Sequence, residues 1–160
     1  MSDHKFSFSR RKFGNYFLAI GGVSLIGVGA CAQSSSVKST QVVVYKTASC
    51  GCCNKWVTYM RVAGYDVTAH NTETLSQYKA SVGVPVHLQS CHTAMIGGYV
   101  IEGHVPVREI ERLLHEKPDA IGLSVPGMVS GSPGMENGRF DSYEVILFAD
   151  NGENTVYASY

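Results

Sequence analysis

Only Thr47-Ala48-Ser49 separates a valine-rich run, Gln41 to Lys46, from Cys50-Gly51-Cys52-Cys53, and those cysteines open a helical stretch that reaches about Ala63. This junction constrains the fold more than any other feature of the chain. The run reads as a buried strand, Gly64 is placed to cap the helix end, and a strand feeding directly into a helix calls for further strands that cover the same core. Tyr65 to His70 reads as a second strand, and Thr72 to Ala80 as a helix with Glu73 in its first turn.

Val84-Pro85 then opens a loop to Cys91, followed by two short strands, about Thr93 to Ile96 and Tyr99 to Glu102, and a helix from Val107 to about Glu116 ended by Pro118. Strands alternating with helices, then an adjacent strand pair and a last helix, is the order of a thioredoxin-like domain, so an α/β fold is expected. Ile121 to Arg139, rich in glycine and proline, reads as loop. Tyr143 to Ala149 and Thr155 to Ser159, around Asp150-Asn151-Gly152-Glu153, read as a C-terminal β-hairpin added to that core. No internal repeat is present.

The N-terminus reads as an address. Ser9-Arg10-Arg11-Lys12-Phe13 precedes the uncharged run Phe17 to Ala30, which is interrupted by Gly21, Gly22, Gly27 and Gly29. An apolar run of about 14 residues is short for a bilayer span and suits the core of an export signal. The paired arginines resemble a twin-arginine signal. Val28-Gly29-Ala30-Cys31 resembles a lipobox, in which Cys31 becomes the lipid-bearing first residue and attaches the protein to the membrane. Cleavage around Ala30-Cys31-Ala32 by an ordinary signal peptidase, or retention as an anchor helix, are the competing readings. Each leaves the domain outside the cytoplasm, with the periplasm as the expected location. The organisation is therefore an export signal over 1–32, a serine-rich flexible linker over 33–40, and one domain over 41–160.

Charge narrows the partners. Four of the 13 basic residues and one of the 13 acidic ones lie in the first dozen positions, which leaves nine basic against twelve acidic residues in the rest. A nucleic-acid binder needs a basic face, and this acidic remainder argues against one. The single uncharged stretch near the start also excludes a polytopic membrane protein.

A mature domain of about 130 residues buries a core without disulfides, so the four cysteines beyond Cys31 are free for chemistry. Cys50 and Cys53 form a CxxC at a helix start, where exposed N–H groups and the helix dipole favour thiolate over thiol. That serves redox chemistry and metal binding alike. Cys52 discriminates: a dithiol oxidoreductase needs two sulfurs there, whereas a third thiolate, with Gly51 easing the turn, is better explained by metal ligation. A structural disulfide and a redox pair with a spectator cysteine remain as alternatives.

Cys91 stands just before the predicted third strand, where a thioredoxin-like arrangement faces the CxxC helix, so it can supply a fourth sulfur. Four soft ligands suit Cu(I), Zn(II) or an iron–sulfur cluster. Met128 and Met135 lie on the glycine–proline loop rather than at core spacing, and thioether sulfur favours Cu(I) over zinc. His92, next to Cys91, is a candidate to ligate or to hydrogen-bond a thiolate, and His104 is a candidate to contact the ligands from outside the coordination sphere. His70, His87 and His115 lack such company, and Trp56, Tyr59 and Met95 read as core.

Four motifs in order, CGCCNKWV from Cys50, VPVHLQSCHTA from Val84, GYVIEGHVP from Gly98 and PGMVSGSPGME from Pro126, resemble the bacterial CxCC metal-binding family that includes the periplasmic copper-resistance protein CopG, formerly of unknown function. The resemblance runs from about Val42 to Val145. It implies a thioredoxin-like fold in which Cys50, Cys52, Cys53 and Cys91 hold several Cu(I) ions in a multinuclear thiolate site. It also implies a part in copper tolerance, with Cu(I)/Cu(II) redox activity and other periplasmic copper-handling proteins as partners. Val129-Ser130 departs from the proline expected after Pro-Gly-Met, which bears on the loop conformation. A thiol-disulfide oxidoreductase is the alternative function, and a zinc-stabilised structural module is a third.

Overall fold

The computed structural model describes residues 40–160. The export signal over 1–32, Cys31 within it, and residues 33–39 of the linker lie outside the described residues. The elements are β1 (Gln41–Lys46), α1 (Gly51–Val62), β2 (Asp66–Asn71), α2 (Leu75–Ser81), β3 (His92–Ile96), β4 (Tyr99–Glu102), α3 (Val107–Glu116), β5 (Gly122–Ser124), β6 (Glu144–Phe148) and β7 (Asn154–Ser159). A 3₁₀ turn, Val86–Leu88, interrupts the loop before Cys91. No helix among the described residues is long and apolar enough to cross a membrane.

The seven strands form one mixed sheet in the order β2-β1-β3-β4-β5-β6-β7. β1 runs parallel to β2 and antiparallel to β3, β4 is antiparallel to β3 and parallel to β5, and β6 pairs antiparallel with both β5 and β7. Register places the chemistry. Lys46 at the end of β1 pairs with His92 at the start of β3, so the turn that carries Cys50 and the residue before His92 emerge at the same end of adjacent strands.

The core forms because apolar residues recur at the period of each element. Val42 and Val44 alternate inward on β1, Trp56 and Met60 lie one turn apart on α1, and Ile110 with Leu113 form the inner stripe of α3. All are fully buried against Ala94, Ile96, Ile101 and Leu123. Each fully buried aliphatic side chain is worth about 1.5–3 kcal/mol relative to exposure. α3 also begins with borrowed help: the Val107 N–H, left over at the helix start, donates to the Tyr59 hydroxyl at 3.0 Å.

Two expectations need correction. The second helix begins at Leu75 rather than Thr72, because the Thr72 hydroxyl accepts the Thr74 N–H at 3.1 Å and holds those residues in a turn. Glu73 therefore lies outside it. The stretch from Ile121 is not all loop either: Gly122–Ser124 is a strand that pairs in parallel with β4. A Cβ at Gly122 would stand 1.8 Å from the Val100 carbonyl oxygen, so the glycine that reads as loop in sequence is what lets the two strands approach.

Candidate metal centre

α1 delivers three of the candidate sulfurs from its first turn. Cys50 is the N-cap, with extended backbone at φ −73° and ψ 96°, and its Sγ accepts the Cys53 N–H at 3.4 Å in the manner of a capping oxygen. Cys53 points inward and is fully buried, whereas Cys50 and Cys52 are half-exposed. Cys50 and Cys53 are joined in a disulfide, with Cα atoms 5.4 Å apart, and Cys52 and Cys91 are free thiols.

Cys91 closes the group. Its Sγ lies 3.7 Å from Cys52 Sγ, which is itself 3.6 Å from Cys50 Sγ. Cys53 Sγ stands 3.5 Å from the Cys91 carbonyl oxygen. All four sulfurs fall within 4.8 Å of one another. Burial, and then the Cys52 sulfur beside it, push the Cys91 thiol up to about 12, so any metal that binds must displace its proton.

A second group shares Cys91 and adds two imidazoles: one ligand atom each from Cys91, His92 and His104 lies within the same 4.8 Å. His104 Nε2 is 3.0 Å from Cys91 Sγ and its Nδ1 is 2.8 Å from the Pro133 carbonyl oxygen. A carbonyl accepts only, so Nδ1 carries the hydrogen and the Nε2 lone pair is turned toward the sulfur. Both rings are fully buried. Desolvation holds each below the ordinary imidazole range, His92 far below it with His104, Lys79 and Lys46 adding to the effect.

His92 Nδ1 is 3.4 Å from Cys91 Sγ, and its buried Nε2 has no hydrogen-bond partner. Its ring centroid lies 4.6 Å from that of Trp56 and 5.0 Å from that of His104, the two imidazoles being perpendicular. Trp56 is therefore a wall of this group as well as core, and its indole N–H donates to the Val105 carbonyl at 3.0 Å.

The glycine–proline loop lies across α1. Gly134, at φ +87°, approaches so closely that a Cβ would stand 2.9 Å from the Trp56 nitrogen and 3.1 Å from the Cys52 carbonyl oxygen. Met135 follows it and is half-buried, while Met128 is 61% exposed at the turn after Gly127. His70, His87 and His115 are exposed and outside both groups. Sequence reasoning passed over the buried pair Lys79 and Glu102, which braces the Cys91 segment; charged residues in a predicted helix and strand carry no local sign that they are buried.

A family model described as "Protein of unknown function, DUF411" matches residues 88–135, the span that carries Cys91, both imidazoles and both loop methionines. A solved structure named copper resistance protein CopG, form 2, superposes with a TM-score of 0.74 at 41% identity, over 77% of this chain and 99% of that one. The chain belongs to the CopG family. Form 1 of the same CopG protein superposes with a TM-score of 0.73 at 41% identity, over 77% of this chain and 98% of that one. No curated protein matches the chain. In this CopG family member Cys50, Cys52 and Cys53 fit the CxCC pattern.

Proposed function

We propose that this chain is an extracytoplasmic copper-binding protein of copper tolerance that holds Cu(I) in a multinuclear thiolate site formed by Cys50, Cys52, Cys53 and Cys91. The observation that carries the reading is the grouping of four sulfurs within 4.8 Å at a helix N-terminus. Thiolates are soft donors that suit Cu(I), bridging lets four of them serve several ions, and the helix dipole offsets part of their charge. The copper resistance named for the solved relatives supports the choice of metal.

His104 joins the site as a ligand in this reading, because its Nε2 lone pair already faces Cys91 Sγ. His92 backs the same sulfur through Nδ1, 3.4 Å from Cys91 Sγ. Met135 is an adaptable thioether neighbour on the covering loop, and Met128 is a capture group at the surface. The β2-β1-β3-β4 part of the sheet, with α1 after β1 and α3 after β4, supports a thioredoxin-like core extended by β5 and the β6–β7 hairpin. Export to the periplasm and lipid attachment through Cys31 complete the proposal, and copper ions and copper-handling proteins of that compartment are its partners.

The Cys50–Cys53 disulfide favours a second reading, a thiol-disulfide oxidoreductase. A partner thiolate attacks half-exposed Cys50 Sγ, Cys53 leaves as thiolate, and the partner's second thiol displaces Cys50, so a partner dithiol is oxidised as the disulfide is reduced. With copper as the electron donor, two Cu(I) become two Cu(II) for each disulfide reduced, with uptake of two protons.

Anaerobic Cu(I) titration of the reduced protein against a competing chelator tests the proposal. More than one copper per chain is expected, with binding abolished when the four cysteines are replaced by serine. Absence of competitive binding, with the cysteines cycling against a dithiol instead, would transfer the protein to the oxidoreductase class.

A further inference from the structure

A buried ion pair braces the segment that carries Cys91 without belonging to either group of ligand atoms. Lys79 of α2 and Glu102 of β4 are 3% and 0% exposed, and Lys79 Nζ pairs with Glu102 Oε1. Both carboxylate oxygens also hold the segment: Oε1 accepts the Ser90 N–H at 2.6 Å and Oε2 accepts the Thr93 hydroxyl at 2.6 Å. Lys79 Nζ donates to Thr93 Oγ1 at 2.9 Å. Glu102 thus grips the residue before Cys91 and the residue after His92.

Ser90 extends the grip to the covering loop. Its hydroxyl donates to the Gly127 carbonyl, and the Gly127 N–H donates to the Gln89 carbonyl at 3.1 Å. Ser90 fits there because Gly103, at φ +74°, lacks a Cβ that would stand 2.4 Å from Ser90 Oγ.

Replacing a buried ion pair by apolar groups of similar volume is often neutral for stability, so stability alone gives weak reason for this one. We propose that Glu102, held in place by Lys79, is a positioning residue for Cys91: by fixing Ser90 and Thr93 it sets where Cys91 Sγ stands relative to Cys52 and His104. The inference rests on the reading of Cys91 as a copper ligand. Partners that orient a ligand from outside the coordination sphere change metal affinity by about 10- to 100-fold when removed.

Two double variants and one single variant test it in the purified protein. Lys79→Met/Glu102→Leu removes the charges together with the acceptor for Ser90. Lys79→Met/Glu102→Gln removes the charges and keeps an oxygen for it. Cu(I) affinity of the reduced protein is expected to fall about 10- to 100-fold in the leucine variant and to stay within about threefold of wild type in the glutamine variant. In the metal-free reduced protein, the Ser90 amide is expected to exchange hydrogen about tenfold faster, and Cys91 to alkylate faster, in the leucine variant alone.

Wild-type affinity in the leucine variant would overturn the proposal, as would equal losses in both double variants, since the acceptor would then not matter. If the leucine variant does not fold, Thr93→Val removes the other anchor at nearly constant shape. A measurable loss of Cu(I) affinity is expected from it, and no change would overturn the proposal. Failure of the wild-type protein to bind Cu(I) would sink the copper reading instead, and amide exchange with Cys91 alkylation would still decide whether Glu102 positions the segment.

Discussion

Cys52 is the residue on which the two functional readings part. It lies 3.6 Å from Cys50 Sγ and 3.7 Å from Cys91 Sγ, between the disulfide and the distant thiol. Thiol-disulfide exchange at Cys50 and Cys53 has no use for it, whereas a bridged cluster loses its central sulfur without it. A Cys52→Ser variant is therefore expected to lose most Cu(I) while its Cys50–Cys53 pair still exchanges with a dithiol; normal copper stoichiometry would refute the role of the third thiolate. His104 makes a second residue-scale prediction. His104→Ala removes the Nε2 lone pair from Cys91 and frees the Pro133 carbonyl, and Cu(I) affinity measured by chelator competition is expected to fall about 10- to 100-fold.

At the scale of elements, the site is a meeting of the α1 N-terminus, the start of β3, the loop after β4 and the glycine–proline loop. The two imidazoles in this meeting bind fewer protons folded than unfolded, because burial depresses both below 6.5. The unfolded state takes up the extra protons in acid, so the stability of the metal-free protein is expected to fall as pH drops below about 6.5, by at most about 1.4 kcal/mol per pH unit for each imidazole. Urea unfolding of the metal-free protein between neutral pH and about pH 5 measures this, and a stability that rises with acid would contradict buried neutral rings. The loop contact has its own test. Gly134→Ala combines a strained φ of +87° with backbone atoms 2.9 Å away, and is expected to lift the loop from α1 and to cost about 1–3 kcal/mol in thermal or urea unfolding.

For the whole molecule, the oxidation state of the cysteines is expected to limit copper loading. With Cys50 and Cys53 joined, two of the four sulfurs cannot act as thiolates, and the free thiols that remain are Cys52 and Cys91. The reduced protein is expected to gain thermal stability with Cu(I) in proportion to RT ln(1 + [L]/Kd), about 2.7 kcal/mol at a hundredfold excess over Kd. The disulfide form is expected to gain much less, and equal shifts in the two forms would show that the disulfide does not limit loading. Differential scanning calorimetry of the two forms with and without Cu(I) makes the comparison.

The amino-acid sequence by itself determined the order of strands and helices through Glu116, the opening of α1 on the CxCC, and the candidacy of Cys91, His92 and His104, because those follow from local periodicity, turn residues and side-chain chemistry. It did not reveal β5, since three residues beginning with glycine carry no strand signal until Val100 lies beside them. Nor did it reveal why His104 faces Cys91 through Nε2, because that depends on a carbonyl 29 residues away at Pro133. Lys79, Glu102 and Thr93 are ordinary polar residues along the chain, and their meeting is a product of strand pairing and helix docking. The tertiary structure decided how closely Cys91 approaches the three sulfurs of the α1 start and what holds it there, because that distance is set by sheet register and packing, and neither is written in any local stretch of residues.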